Sequence, residues 1–404
     1  MQNQTKTLVN GFCKSEGGEL MLFERIARPL MVALVAGGSF AATVQAQDNN
    51  EFFDQAEYDR QIQLLDAQPM GPEGKPWLQS MMDNYRDTSQ YKKEGPWVVC
   101  FSQAGIFNPW QVVGNQTMKE ELKLHPKIAE FIMTDAEGKD DKQIADINDL
   151  VASDRCDVLL VTPNTTAALT PAVERACEKL PVIVFSRGVA TECPVSYITP
   201  IGGYAFGAQA ARFVSENLPE GGNVLALRIS PGVDVLETRW SAAERIFSEN
   251  DKIKVIGAEF TNDDRAIAKS IVEDYLQRFG KIDAVWMDAG ATSAAAIEAF
   301  EDIGVDIPIF TGEDQQDFLA KWKEEGLTAI APTYPTFQWR TAIIAAEMIL
   351  SGEPVPGPIW YLPQPTITNE NLDKYLQANM PPQHYALCGC EEMEGYPENW
   401  GGTK

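Results

Sequence analysis

Three stretches of the chain gather side chains suited to recognising a neutral, hydroxyl-rich molecule. They are Gln103-Ala104-Gly105-Ile106-Phe107-Asn108-Pro109-Trp110-Gln111, Ser186-Arg187 and Gly312-Glu313-Asp314. Arginine and aspartate supply charge-assisted donors and acceptors, asparagine and glutamine supply both, and tryptophan offers a flat apolar face for the C–H surface of a sugar-like ring. Each stretch follows an apolar run of strand length, Trp97 to Ser102, Val182 to Phe185 and Ile307 to Thr311, so all three should point at one cleft. Plainer roles exist for the same residues. Asn108 would cap a helix opening at Pro109, Asp314 would cap the helix after it, Trp110 would serve as a core aromatic, and Arg187 would serve as an ion-pair partner, as would Arg239 farther along the chain.

Covalent chemistry finds little raw material. The chain has two histidines, His125 and His384, too few for a multi-histidine metal site. It has no G-x-x-x-x-G-K-[ST] loop, no G-x-S-x-G elbow and no H-E-x-x-H. Cys388-Gly389-Cys390 with His384 nearby offers too few ligands for a metal and reads as a structural disulfide or as free thiols. No metal or cofactor is expected. A net charge of -25 would repel a phosphate backbone, which argues against nucleic-acid binding.

The elements that must position these residues alternate. Further strand runs are Ile128 to Thr134, Asp157 to Thr162, Ser196 to Thr199, Asn223 to Ile229, Lys254 to Phe260 and Ala284 to Asp288. Between runs, Lys139 to Ser153, Ala167 to Cys177, Tyr204 to Leu218, Asp264 to Phe279 and Thr292 to Ile303 carry apolar residues at helical spacing. Repeated βαβ alternation implies parallel sheets covered on both faces, and about ten units exceed one comfortable core, so two doubly wound α/β domains are expected. Thr199-Pro200-Ile201-Gly202-Gly203 is the first hinge candidate, although an ordinary loop explains the same letters. Gly202, Gly203 and Gly207 lack the spacing of a dinucleotide fingerprint and read as a helix entry.

Met21 to Ala46 places Arg25 and Arg28 ahead of an apolar stretch that ends in small residues, the layout of a secretory signal peptide cleaved after Ala46. Its apolar core, Pro29 to about Ala42, is shorter than the roughly 20 residues that cross a bilayer. The mature chain is therefore expected outside the cytoplasm, with no stable membrane insertion. It would retain six cysteines in an oxidising compartment. Cys177 ends a helix candidate and Cys193 begins the return to the next parallel strand, so a bridge between them is expected. Its separation of 16 residues corresponds to about 3 kcal/mol of chain entropy.

From about Pro96 to Gly352 the chain resembles the periplasmic sugar-binding proteins of ABC transporters, the ribose-binding-protein-like type 1 family. The resemblance rests on Phe107-Asn108-Pro109-Trp110, Gln143 to Val151, Val161-Thr162-Pro163-Asn164, Val182 to Arg187, Glu237-Thr238-Arg239, Asp264-Arg265, Gly312-Glu313-Asp314 and Glu347 to Gly352, in that order. It implies a type 1 periplasmic binding protein fold, two parallel-sheet lobes joined by a three-crossover hinge that close on a ligand. On that template, residues 96–200 with about 334–360 form the N-terminal lobe and 201–333 the C-terminal lobe. Residues 1–46 are upstream extension and signal, 47–95 an appended acidic arm with a short helix around Trp77 to Tyr85, and 361–404 a C-terminal extension.

The resemblance places Asn108, Trp110, Arg187, Arg239 and Asp314 against a sugar, with Gln111 added from the same loop. Ser186, Asp263, Asp288 and Tyr334 form a second tier. Several positions depart from the family pattern. Ser186 stands where ribose-binding relatives place an acid, Ala289 beside Asp288 where they place an asparagine, and Pro332 where a glutamine is usual, so a specificity other than ribose is expected. The resemblance implies the periplasm as the compartment, and the implied function is a single-molecule receptor that delivers a sugar or polyol to an ABC permease or to a signalling partner. A sugar-responsive regulator would need a helix-turn-helix before Trp97, and that region has no basic recognition-helix candidate. A carbohydrate-active enzyme would need a specific carboxylate pair, which so acidic a chain supplies only arbitrarily.

Overall fold

The computed structural model describes residues 52–404. The expected signal peptide, its cleavage point and the first residues of the arm lie outside the described residues.

Two six-stranded sheets organise the described residues. The first runs in the order Ile359–Leu362, Ser196–Pro200, Val182–Phe185, Val158–Thr162, Trp97–Gln103, Ile128–Asp135, with every neighbour parallel. The second runs Thr366–Ile367, Ala329–Pro332, Ile309–Thr311, Ala284–Met287, Gly222–Arg228, Ile253–Phe260, parallel except for its short first strand. Central strands such as Val158–Thr162 and Ala284–Met287 are buried along their whole length, as helices on both faces require. The edge strands Ile128–Asp135 and Ile253–Phe260 carry exposed residues, including Glu130 and Lys254. The expected strands and helices thus appear in order. The strands Ala329–Pro332, Ile359–Leu362 and Thr366–Ile367 are additional.

The chain changes sheets three times. It leaves the first sheet at Pro200 and enters the second lobe's helix Gly203–Asn217. It returns between Pro332 and the helix Gln338–Ser351, whose Trp339, Ala342, Ile343, Ala346 and Ile349 pack in the first lobe's core. It crosses again between Leu362 and Thr366. The first lobe therefore reaches to Leu362, past the expected limit near residue 360, because Ile359–Leu362 pairs with Ser196–Pro200.

The arm also departs from expectation. Its α-helix is Gln55–Leu65, started by Asp54, whose side chain accepts from the Glu57 amide. The helix expected around Trp77 to Tyr85 is replaced by one 3-10 turn, Pro76–Leu78, followed by extended chain. There, backbone groups bond outward instead: Ser80 pairs with Met70, and the Met81 amide donates to the Tyr361 carbonyl. Among the described residues, three disulfides form: the expected Cys177–Cys193, with Cys100–Cys156 and Cys388–Cys390. His384 and the two sulfurs of the last pair lie within 4.8 Å of one another.

Candidate functional site

The loops after the strands meet in a cavity between the two lobes, about 520 Å³ including its mouth. The Asn108 side chain caps the helix Pro109–Leu122 by accepting from the Gln111 amide, and its Nδ2 donates across the cleft to Asp263 Oδ2 at 2.5 Å. Capping and cleft-facing roles therefore coexist in one side chain. Gln111 folds back so that its Oε1 accepts from the Phe107 amide, which fixes the loop ahead of the helix. Trp110 Nε1 donates to the Tyr334 carbonyl at 2.7 Å, and the two rings lie 6.0 Å apart.

Arg187 is held through a relay. Buried Gln143 donates to the Thr162 carbonyl and accepts from the Asn164 amide, and the Asn164 carbonyl accepts from Arg187 Nη1 at 2.9 Å. Burial lowers the Arg187 pKa from its ordinary value, while Asp234 and Asp263 pull it up. Ser186, just before it, adopts φ 69°, a left-handed conformation unusual for a residue with a side chain, and its carbonyl accepts from the Tyr334 hydroxyl. The amide of Gly188 donates to both oxygens of Asp234 at 3.0 Å, a second bond from one lobe to the other.

On the second lobe, Arg239 is 3% exposed and sandwiched, with its guanidinium 4.0 Å from the Phe206 ring centroid and 4.9 Å from that of Tyr334. Its Nη1 donates to the Asp288 carbonyl and to Glu313 Oε1 at 3.0 Å. Glu313 Oε2 accepts from the Gly290 amide. Burial pushes the Glu313 carboxyl up, to about 8, against the pull of Arg239. Burial also raises Asp263, opposed by the Asn108 hydrogen bond and by Arg187 and Arg239. Asp263 adopts φ 57° at the tip of its loop.

The helix bearing Arg239 approaches the helix Gly203–Asn217 so closely that a Cβ at Gly207 would lie 1.8 Å from the Arg239 carbonyl oxygen. A Cβ at Gly203 would lie 2.0 Å from Thr238 Oγ1. These glycines, expected only as a helix entry, set the depth at which the arginine sits.

Asn108, Trp110, Gln111, Ser186, Arg187, Arg239, Asp263 and Tyr334 therefore line one cavity, as do Glu313 and Tyr385. Two expected residues face elsewhere. The Asp314 side chain turns away, and its Oδ2 accepts from the Leu387 amide at 2.7 Å in the C-terminal extension. Asp288 is fully buried and does not line the cavity; its carbonyl accepts from Arg239, and burial raises the pKa of its carboxyl to about 7. Glu313, one residue before Asp314, is the acid that faces Arg239, and its neighbour in the same motif was the sequence signal for it.

Residues 99–354 match the periplasmic binding protein domain. The chain is 28% identical to the ribose import binding protein of Bacillus subtilis (strain 168) over 265 residues, covering 65% of this chain and 84% of that protein. An ABC transporter solute binding protein from Bacillus halodurans C-125, solved with bound myo-inositol, superposes with TM-score 0.64 at 22% identity, covering 70% of this chain and 98% of that one. The fructose-binding periplasmic domain of a hybrid two-component system superposes with TM-score 0.61 at 22% identity, covering 69% and 92%. Among the described residues, no helix is long and apolar enough to cross a membrane.

Proposed function

The chain belongs to the periplasmic binding protein domain family, and from that premise we propose that it is an exported receptor that captures a neutral sugar or polyol between its lobes and presents the closed form to an ABC permease. One observation carries the reading: aromatic faces and opposed charges from both lobes, Trp110 and Tyr334 with Arg187, Arg239, Asp263 and Glu313, converge on one cavity. The aromatic faces would pack on ring C–H groups, while arginine donors and carboxylate acceptors would satisfy the hydroxyls that leave water. The signal-like segment Met21 to Ala46 supports export with cleavage after Ala46. The ligands named for relatives, ribose and myo-inositol, fit this chemistry.

Closure follows from the connections. Three crossovers let the lobes rotate as bodies, and the contacts Asn108 to Asp263 and Gly188 to Asp234 join their rims in the closed arrangement. A ligand that touches both lobes favours that arrangement by its differential affinity, and a permease would read the surfaces closure brings together. No covalent step is required. The fructose-binding sensor domain supports a second reading, in which the same closure signals to a membrane kinase instead of feeding a transporter. A thermal-shift screen of the purified protein against pentoses, hexoses, polyols, nucleosides and amino acids tests the ligand class. A saturable rise in Tm with a sugar or polyol supports it, and a rise confined to amino acids or nucleosides overturns it.

A further inference from the structure

The chain beyond Ile367 lies outside the region that matches the family, yet it reaches the cavity. Its course is fixed from both sides. On the second lobe, Tyr385 forms an antiparallel bridge with Gln315, the Gln316 amide donates to the His384 carbonyl at 2.9 Å, and the Ala386 amide donates to the Asp314 carbonyl at 3.0 Å. On the first lobe, the Leu387 carbonyl accepts from the Phe337 amide at 3.1 Å and the Gly389 carbonyl accepts from Arg340. Farther along, Trp400 Nε1 donates to Thr117 Oγ1 at 3.0 Å. The Cys388–Cys390 disulfide lies between these anchors and packs with Val113, Met380 and Trp400.

This frame holds the Tyr385 ring, 1% exposed, in the cavity wall near Trp110 and beside Glu313. A Cβ on Gly290 would meet the Tyr385 hydroxyl and Glu313 Cβ, each at 3.0 Å, so the glycine keeps open the space where phenol and carboxylate converge. Among the described residues the Tyr385 hydroxyl takes no part in any hydrogen bond, whereas the Tyr334 hydroxyl is engaged by Ser186 and Thr199. Burial keeps the phenol neutral, with its pKa raised well above the ordinary value, so it holds both a donor and an acceptor in reserve.

We infer that Tyr385 is a specificity-determining ligand contact supplied by the C-terminal extension, its hydroxyl pairing with one hydroxyl of a neutral monosaccharide on the Glu313 side of the cavity. The inference rests on the sugar-receptor reading and deepens it. A site that hydrogen-bonds a substrate hydroxyl rejects the analogue lacking it, because its own buried group is then left unpaired.

The test titrates D-ribose, D-fructose, L-arabinose, D-allose and myo-inositol, then the monodeoxy analogues of the tightest binder, against wild type, Tyr385→Phe and Tyr396→Phe. Tyr396 lies in the same extension, outside the cavity, and its hydroxyl bonds Gln377. Tyr385→Phe removes one oxygen and preserves the ring. It is expected to weaken binding of the parent sugar roughly three- to tenfold, to bind one particular deoxy analogue as well as wild type does, and to leave the ligand-free Tm unchanged. Tyr396→Phe is expected to bind as wild type. Equal loss across every analogue, or no loss at all, overturns the inference while leaving the receptor reading intact. Wild type that binds none of these sugars strikes at the receptor reading itself.

Discussion

Substituting Gly207 with alanine tests how the fold sets the depth of Arg239. The added Cβ would lie 1.8 Å from the Arg239 carbonyl oxygen and 2.7 Å from its carbon, both backbone atoms that cannot rotate aside. The helices Gly203–Asn217 and Asp234–Ser248 must separate by at least about 1.2 Å before that contact reaches 3.0 Å, the closest approach real Cβ atoms show. Overpacking of this kind costs about 1–3 kcal/mol, and at about 2–4 °C per kcal/mol the Tm of ligand-free protein should fall by roughly 2–12 °C. The Arg239 to Glu313 bond is 3.0 Å long and cannot absorb such a displacement as a hydrogen bond. The same displacement carries the Arg239 donors out of register with a bound sugar, and losing one charge-assisted bond to the ligand, worth about 1.5–3 kcal/mol, would weaken binding by roughly tenfold or more. Differential scanning fluorimetry and calorimetric titration of Gly207→Ala measure both. A variant with wild-type Tm and wild-type affinity would refute the claim that this close approach positions the arginine.

Two further outcomes follow from the charged groups. Glu313→Gln, whose amide must aim an NH2 group at one of the two donors the carboxyl now meets, Arg239 Nη1 or the Gly290 amide, should weaken sugar binding about tenfold, whereas Asp314→Asn should stay within about threefold of wild type, because Asp314 bonds the C-terminal extension and does not line the cavity. Calorimetric titration of both variants decides which acid serves the site. His125 sits between Glu121 and Glu347; burial lowers its pKa, but the hydrogen bonds and charges of the two glutamates prevail and raise it above 6.5. Because the folded state holds this proton more tightly, the Tm advantage of wild type over His125→Gln should be full below about pH 6.5 and should vanish as pH rises through the raised value, as thermal melts across a pH series will show.

Much of the scaffold was legible because buried parallel strands read as short apolar runs, and helices between them repeat their apolar residues at helical spacing. The strands Ile359–Leu362 and Thr366–Ile367 were not, since each takes its identity from a distant partner, Ser196–Pro200 and Ala329–Pro332, and the second is two residues long. That Asn108, Trp110 and Arg187 would share a cavity was legible because they follow strand ends, whereas Arg239, inside the helix Asp234–Ser248, was placed there by the family resemblance alone. Choosing between Glu313 and Asp314 required knowing that the Leu387 amide claims the aspartate. Tyr385 gave no local signal at all: nothing near it in sequence marks a segment docked between two lobes. Gly207 likewise reads as punctuation until its neighbour across the helix pair is known.

If the interlobe cavity binds a sugar or polyol, removing its aromatic or cationic lining must weaken that binding. Isothermal titration of the best ligand from the thermal screen against wild type, Trp110→Ala and Arg187→Ala tests it most directly, with circular dichroism confirming that each variant is folded. A saturable isotherm with one site per chain is expected for wild type, with a loss of roughly tenfold or more in each variant. Sugar binding that persists unchanged in both folded variants would contradict that expectation and place the binding site elsewhere.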